Sequence, residues 1–314
     1  MNFIVCIPTL NASETWNAFT RALESQTVKP TEVIVIDSTS DDNTAELAGR
    51  SGFRVVQIPR KEFRHGATRQ HAAELAAEAD VLVYLTQDAI LADPHALALL
   101  LQVFENPQVG AAFGRQLPRE EANPIEAHAR LFNYPPVSSL RSIDSVPLLG
   151  LKSIFFSNSF GAYRRTALEA VGGFPREVNF GEDTVVAAHL LNLGWRVAYV
   201  AEAEVFHSHR HGCIEEMKRY VAIGELHRRE SWLLRHFGGT SSTGFGFVAS
   251  EIRLLAKQAP ALIPEAVIRT GLKYIGYKVG RHNATAQVRN WLGMTREEDR
   301  APRQLLDRVA QPDA

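Results

Sequence analysis

The sequence has little of what marks several large classes of protein. Its 314 residues include only two cysteines, Cys6 and Cys213, which are too few and too far apart for a disulfide scaffold. Cys6 lies in an apolar run, which is typical of a buried thiol. The formal net charge of −1 lacks the basic excess that is usual in nucleic-acid-binding proteins, so we expect no nucleic-acid partner.

Long hydrophobic runs and a signal peptide are also missing. No uninterrupted apolar stretch reaches the ~20 residues that a bilayer-spanning helix needs. The chain starts Met-Asn-Phe-Ile-Val-Cys-Ile-Pro, without the basic region and long apolar segment of a signal peptide. We therefore expect a cytoplasmic protein that is at most peripheral to a membrane.

Glycine-rich phosphate loops are absent as well. The first predicted strand is followed by Leu10-Asn11-Ala12-Ser13, without the glycine-rich turn of a dinucleotide-binding domain. No Walker-type loop occurs elsewhere in the sequence. Neither a dehydrogenase nor a P-loop nucleotide hydrolase is therefore indicated.

The sequence does contain a regular alternation of strand and helix patterns. Strands are predicted at residues 3–9, 32–37, 54–58, 81–85 and 109–113, and helices at 12–25, 41–50, 67–79 and 93–105. The last of these helices is predicted to be capped by Asp93, with Pro94 at its first position. Apolar runs of this length suit strands buried on both faces, so the alternation predicts an α/β fold with a doubly wound, mostly parallel sheet.

The pattern is less regular in the second part of the chain. Residues 118–150 are rich in proline and serine without a clear period, which indicates a long loop of the kind that often binds substrate. Further elements are predicted as a strand and a helix within 153–173, a helix at 182–193, a strand at 196–206 and a helix at 214–236. The remaining residues, 237–314, read as a helical C-terminal extension.

Polar residues follow three of the predicted strands. Thr9 and Asn11 follow the first, Asp37 and Ser38 the second, and Thr86-Gln87-Asp88 the fourth. Ligands of open α/β sheets bind beyond the carboxyl ends of the strands, so this convergence predicts a ligand site. For Asn11 and Ser38 taken alone, a turn or helix-cap role is the favoured interpretation.

Several short segments together resemble a known enzyme family. They are Ile-Pro-Thr-Leu-Asn (7–11), Val-Ile-Val-Ile-Asp-Ser (33–38), Phe-Arg-His-Gly-Ala-Thr-Arg (63–69), Leu-Thr-Gln-Asp-Ala (85–89), Gly-Gly-Phe (172–174), Gly-Glu-Asp (181–183) and Val-Phe-His-Ser-His (205–209). The set covers residues 3–236 and resembles the inverting glycosyltransferase family 2. The segments at 63–69 and 85–89 are similar to the rhamnosyltransferase branch of that family.

This resemblance implies the GT-A fold and a division of the chain. Residues 1–236 would form a GT-A catalytic domain, with a nucleotide-sugar-binding half at 1–115 and an acceptor half at 116–236, followed by the helical extension at 237–314. The implied reaction is a single inverting displacement that moves L-rhamnose from dTDP-L-rhamnose to a hydroxyl of a lipid-linked or surface-polysaccharide saccharide. It would be assisted by Mg²⁺ or Mn²⁺. The alternative of a non-catalytic nucleotide-sugar-binding protein is disfavoured by the retained Asp183.

The resemblance implies that Asp88 and His207 bind the divalent cation. Family members usually end this strand with Asp-x-Asp, whereas the present triplet, residues 86–88, has one acid. A hard cation neutralises the charge that develops on a leaving diphosphate. The alternative for Asp88 is a helix cap. For the histidine segment the alternative is a zinc hydrolase, because His207, His209 and His211 would face one side of a continuing strand.

The resemblance also implies the roles of two adjacent acids in Gly181-Glu182-Asp183. Asp183 corresponds to the base that takes the proton of the acceptor hydroxyl, and Glu182 would orient the acceptor. One base without a second, nucleophilic carboxylate suits inversion. Without the resemblance, the two acids would read as an ordinary acidic first turn stabilised by the helix dipole.

Further residues are predicted to bind the two substrates. The expected nucleotide-sugar contacts are Pro8, Thr9, Asn11, Asp37, Ser38, His65, Arg69 and Gln87. His65 and Arg69 lie near the start of a predicted helix, where cationic groups suit a phosphate or nucleotide edge. A solvated basic turn is the alternative for the segment 63–69. Asn158 and Ser159 precede a strand-to-helix transition and are predicted to line the acceptor side.

The C-terminal extension is basic and amphipathic. Residues 235–289 contain eight Lys or Arg and two Glu, which gives a charge of +6. Apolar residues such as Ile268, Leu272, Ile275 and Val279 recur among them at helical spacing. Such a helix is typical of a membrane surface, so residues 237–290 are predicted to contact the inner face of the membrane. Packing on the catalytic domain or a homodimer interface is an equally weighted alternative.

Overall fold

The computed structural model describes residues 1–208, 212–238 and 241–282, with only the backbone given for residues 241–243. The strands are β1 (Phe3–Thr9), β2 (Glu32–Asp37), β3 (Arg54–Gln57), β4 (Val81–Leu85), β5 (Ile90–Leu91), β6 (Val109–Leu117), β7 (Ser139–Arg141), β8 (Phe160–Arg164) and β9 (Arg196–Phe206).

The α-helices of the described ranges are α1 (Ser13–Glu24), α2 (Thr44–Arg50), α3 (His65–Leu75), α4 (Ala96–Gln102), α5 (Pro124–Asn133), α6 (Val146–Leu149), α7 (Arg165–Ala170), α8 (Glu182–Asn192), α9 (Cys213–Arg229), α10 (Ser231–Phe237), α11 (Ser241–Gln258) and α12 (Ile263–Arg281). Short 3₁₀ turns lie at Arg60–Glu62, Val103–Glu105, Ile143–Ser145, Gly150–Ile154 and Pro260–Leu262. None of these helices is both long enough and apolar enough to cross a bilayer.

The strands form one sheet in the order β3-β2-β1-β4-β8-β6-β9-β5, with β7 paired to β9. Strands β3, β2, β1 and β4 are parallel, as the alternating pattern predicts. Strand β8 runs antiparallel between β4 and β6, and β9 is parallel to β6. The predicted α/β class is confirmed, and the sheet becomes mixed beyond β4.

The core lies on both faces of this sheet. On one face Val5 and Val83 pack with Trp16 and Phe19 of α1. On the other face the rings of Tyr84 and Phe174 meet edge to face, with centroids 5.2 Å apart. Full burial of such side chains contributes about 1.5–3 kcal/mol each, which explains why the strands read as continuous apolar runs.

The segment predicted to be a loop, 118–150, contains regular structure. It forms α5, the edge strand β7, a 3₁₀ turn and the short helix α6. The start of α5 has a local cause, because the Asn123 side chain accepts the N–H groups of Ile125 and Glu126 and Pro124 occupies the first turn. The prediction of a loop was therefore wrong. It relied on the lack of a regular hydrophobic period and gave too little weight to Asn123 and Pro124, which mark the start of a helix.

Several predicted helix boundaries also need correction; the helix predicted at 41–50 begins at Thr44, and the one predicted at 67–79 spans His65–Leu75. The helix expected from Asp93 begins at Ala96 and gives way to a 3₁₀ turn at Val103. The Asp93 carboxylate instead accepts the N–H of His95 at 2.7 Å, so it closes the preceding turn. The helix expected at 214–236 is divided at Glu230 into α9 and α10.

The chain forms two compact units by its internal contacts. The larger comprises Met1–Arg210 and Glu230–Ala266, and the smaller contains α9 and the part of α12 that follows Ala266. The predicted domain boundary between residues 236 and 237 stays a prediction. Within the larger unit, Leu255 of α11 is buried in a small apolar cluster with Ile125 of α5.

In the smaller unit, α9 and α12 approach closely. A side chain at Gly276 would collide with the carbonyl of Met217, and one at Gly280 with that of Val221. Two buried cations add to this contact, because Arg269 and Lys273 lie 3.0 Å and 2.9 Å from the carboxylate of Glu216. The basic residues of α12 are thus partly engaged within the unit.

Candidate active site

Five of the predicted donor residues lie at or just after the carboxyl ends of β1 and β2, where Thr9 pairs with Asp37 in the strand register. Thr9 Oγ1 donates to Asp37 Oδ1 at 3.3 Å, and Asp37 is fully buried. The same carboxylate accepts the hydroxyl of Ser40 at 2.5 Å and its N–H at 3.0 Å. The structure therefore brings Thr9 and Asp37 together, and Asp37 shapes the turn that follows β2.

Asn11 and Gln87 shape the loop between β1 and α1. Asn11 has a left-handed backbone, with φ at 50°, and its side-chain oxygen accepts the N–H of Asp41 at 2.8 Å. Gln87 forms a reciprocal pair with the backbone of Leu10, since its oxygen accepts the N–H at 2.7 Å and its amide donates to the carbonyl at 2.9 Å. Pro8 pairs with Ile36 at the same edge. These residues define the loop that would surround a donor.

Two buried hydroxyls at this edge have no hydrogen-bond partner within the described part of the chain. They are Ser38 Oγ and Thr86 Oγ1. A buried polar group without a partner costs about 1–3 kcal/mol, so such groups mark positions where a ligand would supply the missing bond.

Asp88 and His207 also meet, although they are distant in sequence. Strand β5 pairs with β9 so that Ile90 lies opposite Phe206, which brings Asp88, two residues before β5, near His207, the residue just after β9. Asp88 Oδ2 lies 3.3 Å from His207 Nε2. The structure thus assembles the two side chains that were predicted to hold a cation.

The other ring nitrogen of His207 has a partner that the sequence did not indicate. His207 Nδ1 lies 2.9 Å from the amide oxygen of Gln116, in β6. An amide oxygen accepts and cannot donate, so Nδ1 carries the proton and Nε2 faces Asp88. A histidine that binds a metal through one nitrogen commonly donates the other N–H in this way.

Asp88 and His207 fit a divalent cation whose remaining coordination positions are filled by other ligands. Carboxylate oxygens suit Mg²⁺ and Mn²⁺, and these ions commonly take one or two protein carboxylates and fill the remaining positions with phosphates and water. In the described ranges no group of three or more His, Cys, Asp and Glu side chains forms a metal cage. His209 and His211, which the zinc alternative requires, lie outside the described residues.

Arg119 is a second residue that sequence reasoning missed. Its Nη2 donates to the carbonyl oxygen of Asp88 at 2.8 Å, and its backbone N–H to the hydroxyl of Ser208 at 3.3 Å. Its Nε is buried and makes no hydrogen bond in the part of the chain that the structure describes. A guanidinium beside the cation ligands adds positive charge where a diphosphate would lie.

The two predicted catalytic acids open α8, directly after Gly181 with its left-handed φ of 79°. Glu182 is buried, and its Oε1 accepts from Arg69 Nη1 at 2.6 Å and from Asn158 Nδ2 at 3.0 Å. Asp183 is half-buried, and its Oδ2 accepts the backbone N–H of Asn158 at 3.2 Å. Asn158 therefore holds both acids.

The environment of Asp183 suits a base. Burial and the charge of Glu182 raise the pKa of Asp183 to about 7, against the lowering effect of Arg69. A carboxylate with a pKa near neutrality is a stronger base than an ordinary aspartate, yet it is still ionised in a useful fraction of molecules. The structure therefore gives Asp183 the property that its predicted role needs.

His65 and Arg69 lie together at the start of α3. Arg69 Nη1 lies 3.1 Å from His65 Nδ1, and because a guanidinium only donates, that nitrogen accepts. Desolvation and the neighbouring Arg69 lower the pKa of His65, so the ring is neutral and carries its proton on Nε2. The predicted cationic pair is thus one cation and one neutral donor.

The predicted acceptor residues connect the two parts of the site. Asn158 is buried and also accepts the hydroxyl of Tyr163 at 2.8 Å. Ser159 accepts the N–H of Thr86 through its carbonyl at 3.3 Å. Ser157 accepts the amide of Gln116 at 2.8 Å, so the segment 157–159 touches both the acids and the support of His207.

Comparison with known proteins finds one family model and two similar rhamnosyltransferases. The family model described as Glycosyl transferase family 2 matches residues 4–172. The chain is 43% identical over 282 residues to the O-antigen chain rhamnosyltransferase WbaN of Salmonella anatum, with 90% of each chain covered. It is 44% identical over 283 residues to RfbN of Salmonella typhimurium, with the same coverage.

Among solved structures, the mannosyltransferase PcManGT of Pyrobaculum calidifontis, in complex with GDP-Man and Mn²⁺, matches with a TM-score of 0.57 at 20% identity. The match covers 89% of this chain and 86% of that one. This likeness shows the GT-A fold that the sequence resemblance implied.

Proposed function

Because the chain belongs to glycosyl transferase family 2, we propose that this glycosyltransferase moves L-rhamnose from dTDP-L-rhamnose to a hydroxyl of a saccharide acceptor. The observation that carries the proposal is the sequence identity of 43% and 44% to two O-antigen chain rhamnosyltransferases, which extends over 90% of the chain. The acceptor would be a lipid-linked or surface-polysaccharide precursor. No observation favours the zinc-hydrolase alternative, since the relatives are transferases.

Asp183 is proposed to act as the base. It would take the proton of the acceptor hydroxyl while the acceptor oxygen forms a bond to the anomeric carbon of the donor. The bond from that carbon to the diphosphate oxygen breaks at the same time, and the nucleoside diphosphate leaves with the electron pair. One displacement without a covalent intermediate inverts the anomeric centre. The raised pKa of Asp183 supports this role.

Asp88 and His207 are proposed to hold Mg²⁺ or Mn²⁺, which would neutralise the leaving diphosphate when bound. Their distance of 3.3 Å and the protonation of His207 on Nδ1 support the proposal. The mannosyltransferase of the same fold binds Mn²⁺ in its solved structure. Arg119, which donates to the Asp88 carbonyl, would add a fixed positive charge to the diphosphate site.

The residues predicted to bind the donor are proposed to have two different roles, direct contact and support of the surrounding loops. Ser38 and Thr86 would contact the nucleotide sugar through their buried hydroxyls. Asp37, Asn11 and Gln87 would act by shaping the surrounding loops. Other proposed donor contacts are Pro8, Thr9, His65 and Arg69. Because the Glu182 carboxylate faces Arg69 and Asn158, we propose that it positions Asp183.

Peripheral contact with the inner face of a membrane is proposed for α12. Ile268 and Ile275 are exposed, whereas Leu272 and Val279 pack against α9. The basic side chains Arg269 and Lys273 are buried in ion pairs, so fewer charges face outward than the sequence suggests. A homodimer contact through the same exposed face is the other proposed arrangement.

A donor panel tests the proposed function. The purified chain would be incubated with dTDP-L-rhamnose, UDP-glucose or GDP-mannose, with Mg²⁺, Mn²⁺ or EDTA, and with lipid-linked saccharides as acceptors. We expect metal-dependent release of dTDP and a product one deoxyhexose heavier by mass spectrometry. Asp183→Asn is the control for chemistry. Turnover with another donor but none with dTDP-L-rhamnose would overturn the proposed donor.

A further inference from the structure

Gln116 is a buried amide near the active site, and both ends of its side chain have hydrogen-bond partners. It lies in β6 with 1% of its surface exposed. Its amide nitrogen donates to Ser157 Oγ at 2.8 Å. Its oxygen accepts from Arg130 Nη1 at 2.5 Å and faces His207 Nδ1 at 2.9 Å.

These three contacts fix which end of the amide faces the imidazole. A guanidinium is only a donor, so the atom beside Arg130 must be the amide oxygen. That oxygen then faces His207 and can only accept from it. The imidazole of His207 must therefore carry its proton on Nδ1 when neutral, which leaves Nε2, 3.3 Å from Asp88 Oδ2, as the nitrogen that can bind a cation.

The backbone explains why Gln116 can reach His207. Strands β6 and β9 shift register after Gly114, so that Gln116 pairs with Val205 and Leu117 with Phe206. The N–H of His207 then donates to the Leu117 carbonyl at 3.0 Å. After this irregularity His207 lies two residues beyond Val205, the register partner of Gln116, and the Gln116 side chain reaches it.

Arg130 is held in place by the packing of its helix. Ile125, on the same helix α5, is buried against Leu255. His128 Nε2 lies 2.8 Å from the hydroxyl of Ser250 on α11. These contacts fix α5 at two positions, so the guanidinium of Arg130 remains beside the Gln116 oxygen.

We propose that Gln116, supported by Arg130, is the positioning residue of the cation site and holds His207 in the Nδ1–H tautomer. The inference rests on the proposed role of Asp88 and His207 as cation ligands. Gln116 acts through His207 and touches no substrate in this role. Partners of this kind typically contribute 10–100-fold to metal affinity, because they orient the ring and fix its proton.

The first experiment reads the tautomer directly and needs neither metal nor donor. ¹⁵N-histidine-labelled wild-type protein is studied by NMR at pH 8, and the His207 signal is assigned from a His207→Ala variant. We expect a proton on Nδ1, donated to the Gln116 oxygen. A ring that carries its proton on Nε2 and none on Nδ1 in wild type would overturn the inference, and it would leave the proposed transferase activity untouched.

The second experiment compares two variants of similar size. Gln116→Met removes the acceptor, whereas Gln116→Glu keeps an oxygen facing His207. Binding of Mn²⁺ alone is measured by the electron paramagnetic resonance signal of the free ion. We expect affinity to fall about 10–100-fold in Gln116→Met, together with loss of the Nδ1–H signature, and to stay within a few-fold of wild type in Gln116→Glu.

Controls make the result specific. Ser157→Ala removes the bond to the Gln116 nitrogen but leaves the oxygen in place, so its effect on Mn²⁺ affinity should be small. Circular dichroism and thermal melting report whether each variant is folded. Unchanged Mn²⁺ affinity in folded Gln116→Met would exclude the positioning role, even if transfer from dTDP-L-rhamnose is found.

Discussion

Arg69 Nη1 lies 2.6 Å from Glu182 Oε1, and both side chains are buried. This ion pair lies next to Asp183 in sequence and shares Asn158 with it. The pair was expected to contact donor and acceptor separately, yet its members contact each other. Their geometry makes them the electrostatic support of the proposed base.

We predict that Glu182→Gln is strongly destabilising. Removing one partner of a buried ion pair leaves an uncompensated charge and typically costs about 3–5 kcal/mol. The free energy of unfolding from urea titration measures this cost. The matched control is Glu46→Gln, which breaks the exposed pair of Glu46 and Arg50 and should cost less than about 1 kcal/mol. Equal losses in both variants would contradict the structural role of Glu182.

Asp183→Asn is expected to remove transfer and leave donor binding largely intact. Loss of a general base typically lowers the rate about 10²–10⁴-fold. The asparagine keeps the size of the side chain and its oxygen can still accept the Asn158 N–H. Steady-state kinetics give the rate, and calorimetric titration with dTDP gives the binding. Near-normal turnover would exclude Asp183 as the base.

The pH dependence of transfer should report Asp183. Its pKa is raised from 3.8 to about 7 by burial and by Glu182, and only the ionised form can take a proton. We therefore expect kcat/KM to rise with pH and to level off above about 7. In a folded Glu182→Gln variant the midpoint should move to lower pH, because one raising charge is lost and Arg69 remains. A midpoint near the ordinary value of aspartate in wild type would contradict this assignment.

The same shift has an opposite effect on stability. A carboxyl group whose pKa is higher in the folded state stabilises the fold below its unfolded pKa, and this contribution is lost as pH rises through the folded value. The free energy of unfolding should therefore decrease between about pH 4 and pH 7 through Asp183. Asp183→Asn should be less sensitive to pH over that range and more stable than wild type at pH 8. If the free energy of unfolding changed equally between pH 4 and pH 7 in wild type and in Asp183→Asn, the result would argue against the raised pKa.

We predict that Asp88→Ala weakens the binding of dTDP in the presence of Mg²⁺ or Mn²⁺. The triplet of residues 86–88 has no second acid to replace it. His207→Ala should have the same effect in a milder form, because Asp88 remains. Calorimetric titration with and without the ion measures the metal enhancement. Equal enhancement in wild type and Asp88→Ala would remove Asp88 from the cation site.

The exposed face of α12 predicts binding to anionic vesicles at low salt. Ile268 and Ile275 would insert, and each exposed basic residue nearby adds about 1 kcal/mol. Replacing both isoleucines by Asp should reduce co-sedimentation, whereas Leu193→Asp, at an exposed leucine elsewhere, should not. Absence of binding by wild type would exclude membrane contact, and analytical ultracentrifugation would then test the dimer.

Much of the fold could be predicted because its first half repeats one local pattern. Strands β1, β2 and β4 lie at the predicted residues, since runs buried on both faces leave a clear apolar signal. The exceptions have local causes. Helix α5 was missed although Asn123 and Pro124 mark its start, and the two-residue strand β5 is too short for any period to show.

The site residues divide in the same way. Asp88, His207 and Asp183 follow or precede strong elements and match short family segments, so the sequence alone singled them out. Gln116 and Arg119 could not be found, because their roles depend on a register shift between β6 and β9 and on a turn around Asp88. A glutamine within a strand has no sequence signal for what it faces.

The segment 157–159 gives the two halves of the chemistry one foundation. Asn158 bonds both acids, and Ser157 bonds the glutamine behind His207. A substitution there would disturb proton removal and leaving-group stabilisation together, and its effects would not add to those of changes at either centre. Evolution toward new acceptors is therefore expected to proceed through the surrounding loops, while these three residues limit how independently the enzyme can adjust its two tasks.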